Sequence, residues 1–277
     1  MEYGGGMGDG EVFRFKKSLG QNFISDVNLL SAIAADAGIS GEDTVVEIGA
    51  GAGGLTAALA KKAEAVYAFE VDRSLKSVLD DALADADNVK IIFADVMKLD
   101  DGEIKNIAGG SFKVVANLPY YIAVPLIFRF LESELDVESL TVMVQKEVAE
   151  RLIARPGTKR YAAVTVAADF YADVKILRTV KRGMFYPAPK VDSALVGFKT
   201  ARGKYPAVEG KRFLRFVSAA FSMRRKTLAN NLNAAFGIAK IRVGEYLATL
   251  GFPAEIRGER LSTSDFIKLY KTFYTEP

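Results

Sequence analysis

Residues 44–56 read TVVEIGAGAGGLT, an apolar β-branched run that leads into a glycine-rich turn and then into an alanine-rich stretch. The run predicts a buried strand, and the residues after the turn predict a helix from Leu55 to Lys62. Glycines let the backbone pass close to a ligand, and the start of the next helix offers unpaired N–H groups. The unit therefore predicts an α/β fold that binds a ligand at the carboxyl edge of its sheet.

Acidic residues stand at the ends of the next two predicted strands. The strand from Ala65 to Val71 ends at Glu70, about 20 residues beyond the first glycine, where a carboxylate can bind the two hydroxyls of a ribose. The strand from Val89 to Ala94 is followed by Asp95, which can accept a hydrogen bond from an adenine amino group. Glycine spacing alone also permits a dinucleotide, and each acid could merely cap its strand. Together these features predict a nucleoside cofactor.

A second turn carries the candidate chemistry. Residues 114–121 read VVANLPYY, a buried strand that stops at a rigid turn. Pro119 restricts Leu118 to extended geometry, so the Asn117 side chain and the Leu118 carbonyl can face one point beside the Tyr120 ring. Two acceptors at that point suit the exocyclic amine of a nucleobase, because they help to direct its lone pair toward a methyl group. The alternative is a proline turn with a buried asparagine that satisfies backbone groups.

The composition narrows the possible enzyme classes. Half of the 277 residues (50%) are hydrophobic and the net charge is +3, which is typical of a globular chain with one large domain and a smaller appendage. Cysteine and histidine are both absent, which excludes disulfides, thiolate nucleophiles, Cys/His zinc sites and imidazole bases. No stretch has the pattern of a secretory signal or a membrane span. We therefore predict a cytoplasmic protein.

The order of predicted elements divides the chain into three parts. Residues 1–12 are glycine-rich and are predicted to be a disordered tail. Strands and helices alternate over residues 13–200, including a helix expected from about Pro125 to Glu132. From residue 201 to residue 277 the pattern is helical only, which predicts a small second domain.

Cations cluster in two of these parts. The arm before the first helix contains Lys16 and Lys17 among phenylalanines, which suits either RNA contact or a solvated arm. Residues 211–226 contain six cations and no carboxylate, and the run Arg224-Arg225-Lys226 ends the segment. This charge favours contact with RNA phosphates over a solvated helix face.

Phe185 lies in a proline-rich loop, residues 184–193. We expect the prolines to hold this loop extended and to leave the aromatic face exposed, where it could stack on a base flipped out of RNA. The alternative is a phenylalanine of the core.

Four motifs in this order make the chain resemble the small-subunit ribosomal RNA adenine N6,N6-dimethyltransferases, from Phe15 to about Tyr274. They are KSLGQNF at residues 17–23, EIGAG at 47–51, NLPYY at 117–121 and FxPxPxVxS at 185–193. The resemblance implies an α/β class I S-adenosylmethionine-dependent methyltransferase, with a Rossmann-like seven-stranded sheet and a small all-helical C-terminal domain that binds RNA.

The resemblance also implies a substrate and a set of roles. The substrate would be two adjacent adenines in a hairpin loop near the 3′ end of small-subunit RNA, in an immature subunit, and the enzyme is expected to be a monomer. Asn117, Leu118, Tyr120 and Phe185 would surround the target base. The donor, S-adenosylmethionine, would be held by Asn22 and Ile24 of the arm, by Gly49 and Gly51 near its methionine part, by Glu70 on the ribose, by Asp95 on the adenine, and by Asn117 between donor and target.

Two other functions remain open. Large-subunit RNA adenine methyltransferases of the macrolide-resistance type have a similar arm and proline-rich loop, but their turn commonly reads NIPY, so Leu118 favours the small-subunit substrate. A ribosome-assembly or transcription factor could keep this fold and bind RNA without transferring methyl groups. The intact turn from Asn117 to Tyr120 favours an enzyme.

Overall fold

The computed structural model describes residues 22–201, 203–205 and 208–274. These residues contain nine strands: β1 Phe23–Ile24, β2 Thr44–Ile48, β3 Ala65–Phe69, β4 Val89–Ile92, β5 Phe112–Ala116, β6 Val137–Gln145, β7 Ala172–Val180, β8 Phe185–Tyr186 and β9 Ser193–Thr200. Seven of them form one sheet in the order β4-β3-β2-β5-β6-β9-β7, and β1 pairs with β8 in a separate two-stranded ribbon. The predicted Rossmann-like seven-stranded sheet is confirmed.

The path of the chain through this sheet places the site. Strands β2 to β6 are parallel, and β9 runs antiparallel between β6 and β7. The chain leaves β2 toward β3 and β4, then returns to β5 on the other side of β2, so β2 and β5 border the switch point at which such sheets bind ligands. The residues that follow the parallel strands β2, β3, β4 and β5 lie at one carboxyl edge; they include Gly49, Glu70, Asp95 and Asn117.

Helices cover both faces of the sheet. The described residues contain eleven α-helices: α1 Val27–Asp36, α2 Gly54–Ala60, α3 Lys76–Ala82, α4 Asp101–Ala108, α5 Tyr120–Leu131, α6 Lys146–Leu152, α7 Ala163–Tyr171, α8 Gly210–Ala220, α9 Leu228–Phe236, α10 Lys240–Thr249 and α11 Thr263–Tyr274. Side chains alternate along each strand, so Val46 and Val114 join the core beneath α4 and α5 while Val45 and Val115 join the core beneath α1 and α2. This two-sided burial is typical of parallel sheets.

Local signals explain where some helices begin. Asp26 caps α1 by accepting a hydrogen bond from the Leu29 N–H at 2.9 Å. The helix expected from about Pro125 instead begins at Tyr120, so that boundary was wrong. Pro125 removes one helical hydrogen bond, the one to the Tyr121 carbonyl, and both residues face solvent, where water can replace it.

After β9, the described part of the chain contains only helices, and these form a third core. Phe213 and Phe216 of α8 are fully buried in it. Phe170 of α7 belongs to the same core, with its ring 4.8 Å from that of Phe213. The helical core therefore includes a residue that precedes position 200 in the sequence. The domain boundary at residue 200 stays a prediction.

Candidate active site

The glycine-rich turn after β2 is packed against the other parts of the site. Gly49 has φ +84° and Gly51 has φ +57°, a region that side chains rarely adopt. A Cβ atom at Gly49 would lie 2.9 Å from the end of the Leu118 side chain, and one at Gly51 would lie 2.9 Å from the Phe23 ring. These glycines therefore make room for the second turn and for the arm.

Glu70 holds this glycine-rich turn in place. Its carboxylate is buried, and it accepts hydrogen bonds from the backbone N–H groups of Gly51 at 2.9 Å and of Val71 and Asp72 at 2.8 Å each. An ionised carboxylate offers roughly four acceptor positions, so three are used within the chain. The remaining acceptor position of Glu70 could bind a ribose hydroxyl. Replacement of Glu70 would also remove the hydrogen bond that holds the Gly51 N–H.

Asp95 is a more open group on the neighbouring strand end. It accepts a hydrogen bond from the Met97 N–H at 3.1 Å and so begins a short 3-10 turn. Its other oxygen lies 3.6 Å from the Lys98 ammonium group. Asp95 thus caps the 3-10 turn Val96–Lys98 that follows the strand, and its partly exposed carboxylate lies at the carboxyl edge of the sheet.

Asn117 is oriented by the arm. Its side-chain nitrogen donates to the Asn22 carbonyl at 3.2 Å. This contact assigns the amide nitrogen to the arm and leaves the amide oxygen as an acceptor on the other side. The arrangement is the one the acceptor hypothesis requires. Asn22 serves here through its backbone, and Ile24 is buried in the core beneath α1.

Tyr120 is tied to a buried residue of the last strand. Its hydroxyl group lies 2.7 Å from the Ser193 hydroxyl, and Ser193 is fully buried at the start of β9. Burial raises the pKa of Tyr120, while the hydrogen bond to Ser193 lowers it by less. The phenol therefore stays protonated near neutral pH, and the bond fixes the ring beside the Asn117 turn.

Phe185 does not have the exposed face that was expected. It is only 4% exposed and packs in the core beneath α1 and α2, so this expectation was wrong. The cause is the ribbon of β1 and β8, in which Phe185 pairs with Ile24 and Tyr186 with Phe23. Because side chains alternate along a strand, Phe185 turns inward and Tyr186 is 55% exposed.

Glu47 is a buried acid that the sequence interpretation did not use. It is fully buried in β2, and neither carboxyl oxygen has a hydrogen-bond partner. Burial is the main cause that raises the pKa of Glu47 to about 8, and the charge of Glu70 raises it further. The Thr56 hydroxyl is close enough to lower the pKa by more than the Glu70 charge raises it, although no hydrogen bond of normal geometry joins Thr56 and Glu47. The sequence signal for this buried acid is a glutamate inside an apolar strand, just before the glycines.

The candidate RNA-binding cations differ in how far they are bound within the chain. Arg224 lies 3.3 Å from the Glu259 carboxylate and donates to the Lys159 carbonyl at 2.8 Å. Arg225 and Lys226 are exposed. Beside them, the loop between α6 and α7 borders a shallow cavity of about 420 Å³ that includes three more cations, Arg155, Lys159 and Arg160. Lys16 and Lys17 lie outside the described residues.

Within the described ranges, no three acidic, histidine or cysteine residues gather as possible metal ligands. None of the helices in those ranges has the length and apolar character needed to cross a bilayer.

The sheet order, the glycine-rich turn at its switch point and the acids on the next two strand ends define a class I S-adenosylmethionine-dependent methyltransferase. The glycines, the carboxylates and the oriented asparagine are groups that fit this donor. The chain belongs to the ribosomal RNA adenine dimethylase family, whose profile matches residues 12–247.

Individual relatives agree with this family. The chain is 44% identical over 266 residues to the ribosomal RNA small subunit methyltransferase A of Streptococcus thermophilus, covering 93% of this chain and 91% of the relative. It is similar to the crystal structure of a dimethyladenosine transferase from Plasmodium falciparum, with a TM-score of 0.76, 26% identity, and 91% and 97% of the two chains covered. It is also similar to the 23S rRNA methyltransferase ErmE, with a TM-score of 0.71, 25% identity, and 90% and 98% covered.

Proposed function

We propose that this chain dimethylates the N6 amines of two adjacent adenines in a hairpin loop near the 3′ end of small-subunit ribosomal RNA. The observation that carries the proposal is the orientation of Asn117, whose nitrogen is bound to the Asn22 carbonyl at 3.2 Å. Its oxygen is then an acceptor for one N–H of an exocyclic amine. The Leu118 carbonyl is the next acceptor along the same turn.

Residues at the carboxyl edge of the sheet would hold the donor. S-adenosylmethionine supplies a methyl group that is bound to a positively charged sulfur. Gly49 and Gly51 let Leu118 and Phe23 pack closely against the glycine-rich turn, since a Cβ atom at either position would meet one of these side chains. The backbone of the turn can then lie against the methionine part of the donor. Glu70 offers its remaining acceptor position to the ribose, and Asp95 offers a carboxylate oxygen to the adenine amino group. Asn22 and Ile24 act from the arm, through a backbone carbonyl and through packing respectively.

At the target, the chain would position a neutral amine and would not remove a proton before transfer. Two acceptors direct the nitrogen lone pair toward the methyl group, and they bind most strongly as the nitrogen becomes tetrahedral. Tyr120 stacks on the base, with its ring fixed by Ser193. The nitrogen loses its proton to water after the new bond has formed. Phe185, being buried, supports the arm and the loop instead of contacting the base.

The substrate choice is supported by two observations. The Streptococcus thermophilus relative, at 44% identity, is named for the small subunit, whereas the 23S rRNA methyltransferase is 25% identical. Leu118 also stands where the large-subunit enzymes commonly have isoleucine. An immature small subunit as the partner, a monomeric state and a cytoplasmic location stay predictions.

The test is a methyl-transfer assay with radiolabelled S-adenosylmethionine. Small subunits from a strain that lacks the modification serve as substrate, large subunits serve as the parallel substrate, and the modified nucleosides are mapped by mass spectrometry. We expect N6,N6-dimethyladenine at two adjacent positions of small-subunit RNA. Label confined to the large subunit would support the macrolide-resistance type instead. Tight RNA binding without any label would support a non-catalytic assembly factor.

A further inference from the structure

Two exposed tyrosines flank the candidate active site. Tyr121 is 70% exposed in the first turn of α5, directly after Tyr120. Tyr186 is 55% exposed in β8, directly after the buried Phe185. A single exposed aromatic ring is common on protein surfaces, whereas several close together indicate an interaction site. These two tyrosines lie on segments that meet at one place.

Three contacts bring these segments together. The hydrogen bond between Tyr120 and Ser193 joins the start of α5 to the end of the proline-rich loop. The bond from Asn117 to the Asn22 carbonyl joins the same turn to the arm. The next arm residue, Phe23, pairs with Tyr186 in the β1–β8 ribbon. The two tyrosines therefore lie on two segments that both contact the turn carrying the target site.

The loop around Tyr186 has the charge of a nucleic-acid surface. Lys181, Arg182 and Lys190 are exposed there, and Val191 adds an apolar side chain that is 44% exposed. Asp192 is the acid among them, and it is held by the Lys181 ammonium group at 2.9 Å and the Arg182 N–H at 3.0 Å. Aromatic rings beside surplus cations suit single-stranded RNA, since bases stack on the rings and phosphates meet the cations.

We propose that Tyr121 and Tyr186 are stacking platforms for the nucleotides on either side of the adenine in the active site. This inference rests on the proposed function, because it needs an RNA substrate from which one base is taken out of its stack. Holding the neighbouring bases offsets part of the cost of that extrusion. When the target is one of two adjacent adenines, one platform also holds the second adenine near the site.

The test compares alanine and phenylalanine variants at both positions. Loss of one base–ring stack should lower kcat/KM for unmodified small subunits about 5-fold to 150-fold in Tyr121→Ala and in Tyr186→Ala. Tyr121→Phe and Tyr186→Phe keep the ring and should stay within about twofold of the wild type. Ile241→Ala, at an exposed apolar position on α10, is the matched control and should not change the rate.

Further measurements separate this role from folding and from the donor site. Melting temperature and calorimetric affinity for S-adenosylmethionine should be unchanged in all five variants. If the wild type methylates small subunits and both alanine variants do so equally well, the platforms are refuted while the proposed function stands. If the phenylalanine variants lose as much as the alanine variants, a hydroxyl group and not the ring is responsible, and the inference is also refuted.

Discussion

Replacement of Gly49 by alanine separates backbone strain from contact with the catalytic turn. At φ +84° an alanine costs about 1–2 kcal/mol, because its Cβ approaches the following carbonyl oxygen. The new Cβ would also lie 2.9 Å from the end of the Leu118 side chain, which must move, and overpacking of this kind costs about 1–3 kcal/mol more. A displaced Leu118 shifts the turn that holds Asn117, and a misplacement of about 1 Å can cost roughly 100-fold in rate.

The chain offers a control with the same strain and no contact. Gly38 has φ +65°, and a Cβ atom there meets nothing within 4 Å. Urea unfolding should show a loss of about 1–2 kcal/mol for Gly38→Ala and at least about 1 kcal/mol more for Gly49→Ala. The methyl-transfer rate should fall only in the second variant, and Leu118→Ala added to Gly49→Ala should restore part of it. Equal stability and equal rates in the two single variants would refute the argument.

Three further predictions address other parts of the site. The pKa of Glu47 is raised from 4.5 to about 8, so the folded state holds a proton that the unfolded state releases. The free energy of unfolding should therefore fall as the pH rises from 4.5 to 8, by up to about 1.4 kcal/mol per pH unit relative to Glu47→Gln. A difference between the two proteins that stays constant with pH in urea titrations would contradict this. Tyr120→Phe and Ser193→Ala break one hydrogen bond, so the double variant should lose no more kcat/KM than either single variant, and additive losses would contradict the pairing. Alanine at both Arg225 and Lys226 should make the slope of log RNA affinity against log salt shallower by about 1–2, with donor binding intact; an unchanged slope would mean that the two side chains are merely solvated.

The strand and turn signals around the two motifs predicted the sheet well. The β-branched run before Gly49 and the run before Asn117 both form central strands, because buried parallel strands need apolar residues on both faces. A helix cap such as Asp26 is also visible in a sequence, since it is a local interaction within one turn.

One error arose where a distant segment decides the structure, and another from a local proline preference. Phe185 is buried because β8 pairs with β1, and no local pattern in a proline-rich loop reveals a partner so far back in the chain. The start of α5 was misjudged because proline is a common first helical residue, whereas Pro125 lies inside the helix on its solvent side. Asp100 and Glu103 form a capping box at the start of α4, a signal that the sequence contains.

The site was predicted as a set of residues but not as a set of contacts. Glu70 lies at the expected strand end, yet its hydrogen bond to the glycine-rich turn depends on the register between β2 and β3, which the sequence does not show. The orientation of Asn117 likewise depends on where the arm crosses the turn. Glu47 belongs to the EIGAG motif, and the motif alone does not show that this acid is fully buried.

The most direct test of the acceptor model is the ratio of monomethyladenine to dimethyladenine made by Asn117 variants. The first transfer offers two N–H groups to Asn117 and the Leu118 carbonyl, whereas the monomethylated base offers one, so weakening one acceptor should change the two steps unequally. We expect Asn117→Ala to lower kcat far more than RNA affinity. Asn117→Asp should keep partial activity with an altered ratio. The maximal rate of the unsubstituted enzyme should show no titration of a general base near neutral pH. Nucleoside mass spectrometry measures the ratio. Near-native rates for both steps in Asn117→Ala would contradict the model and leave the positioning of the base to aromatic stacking alone.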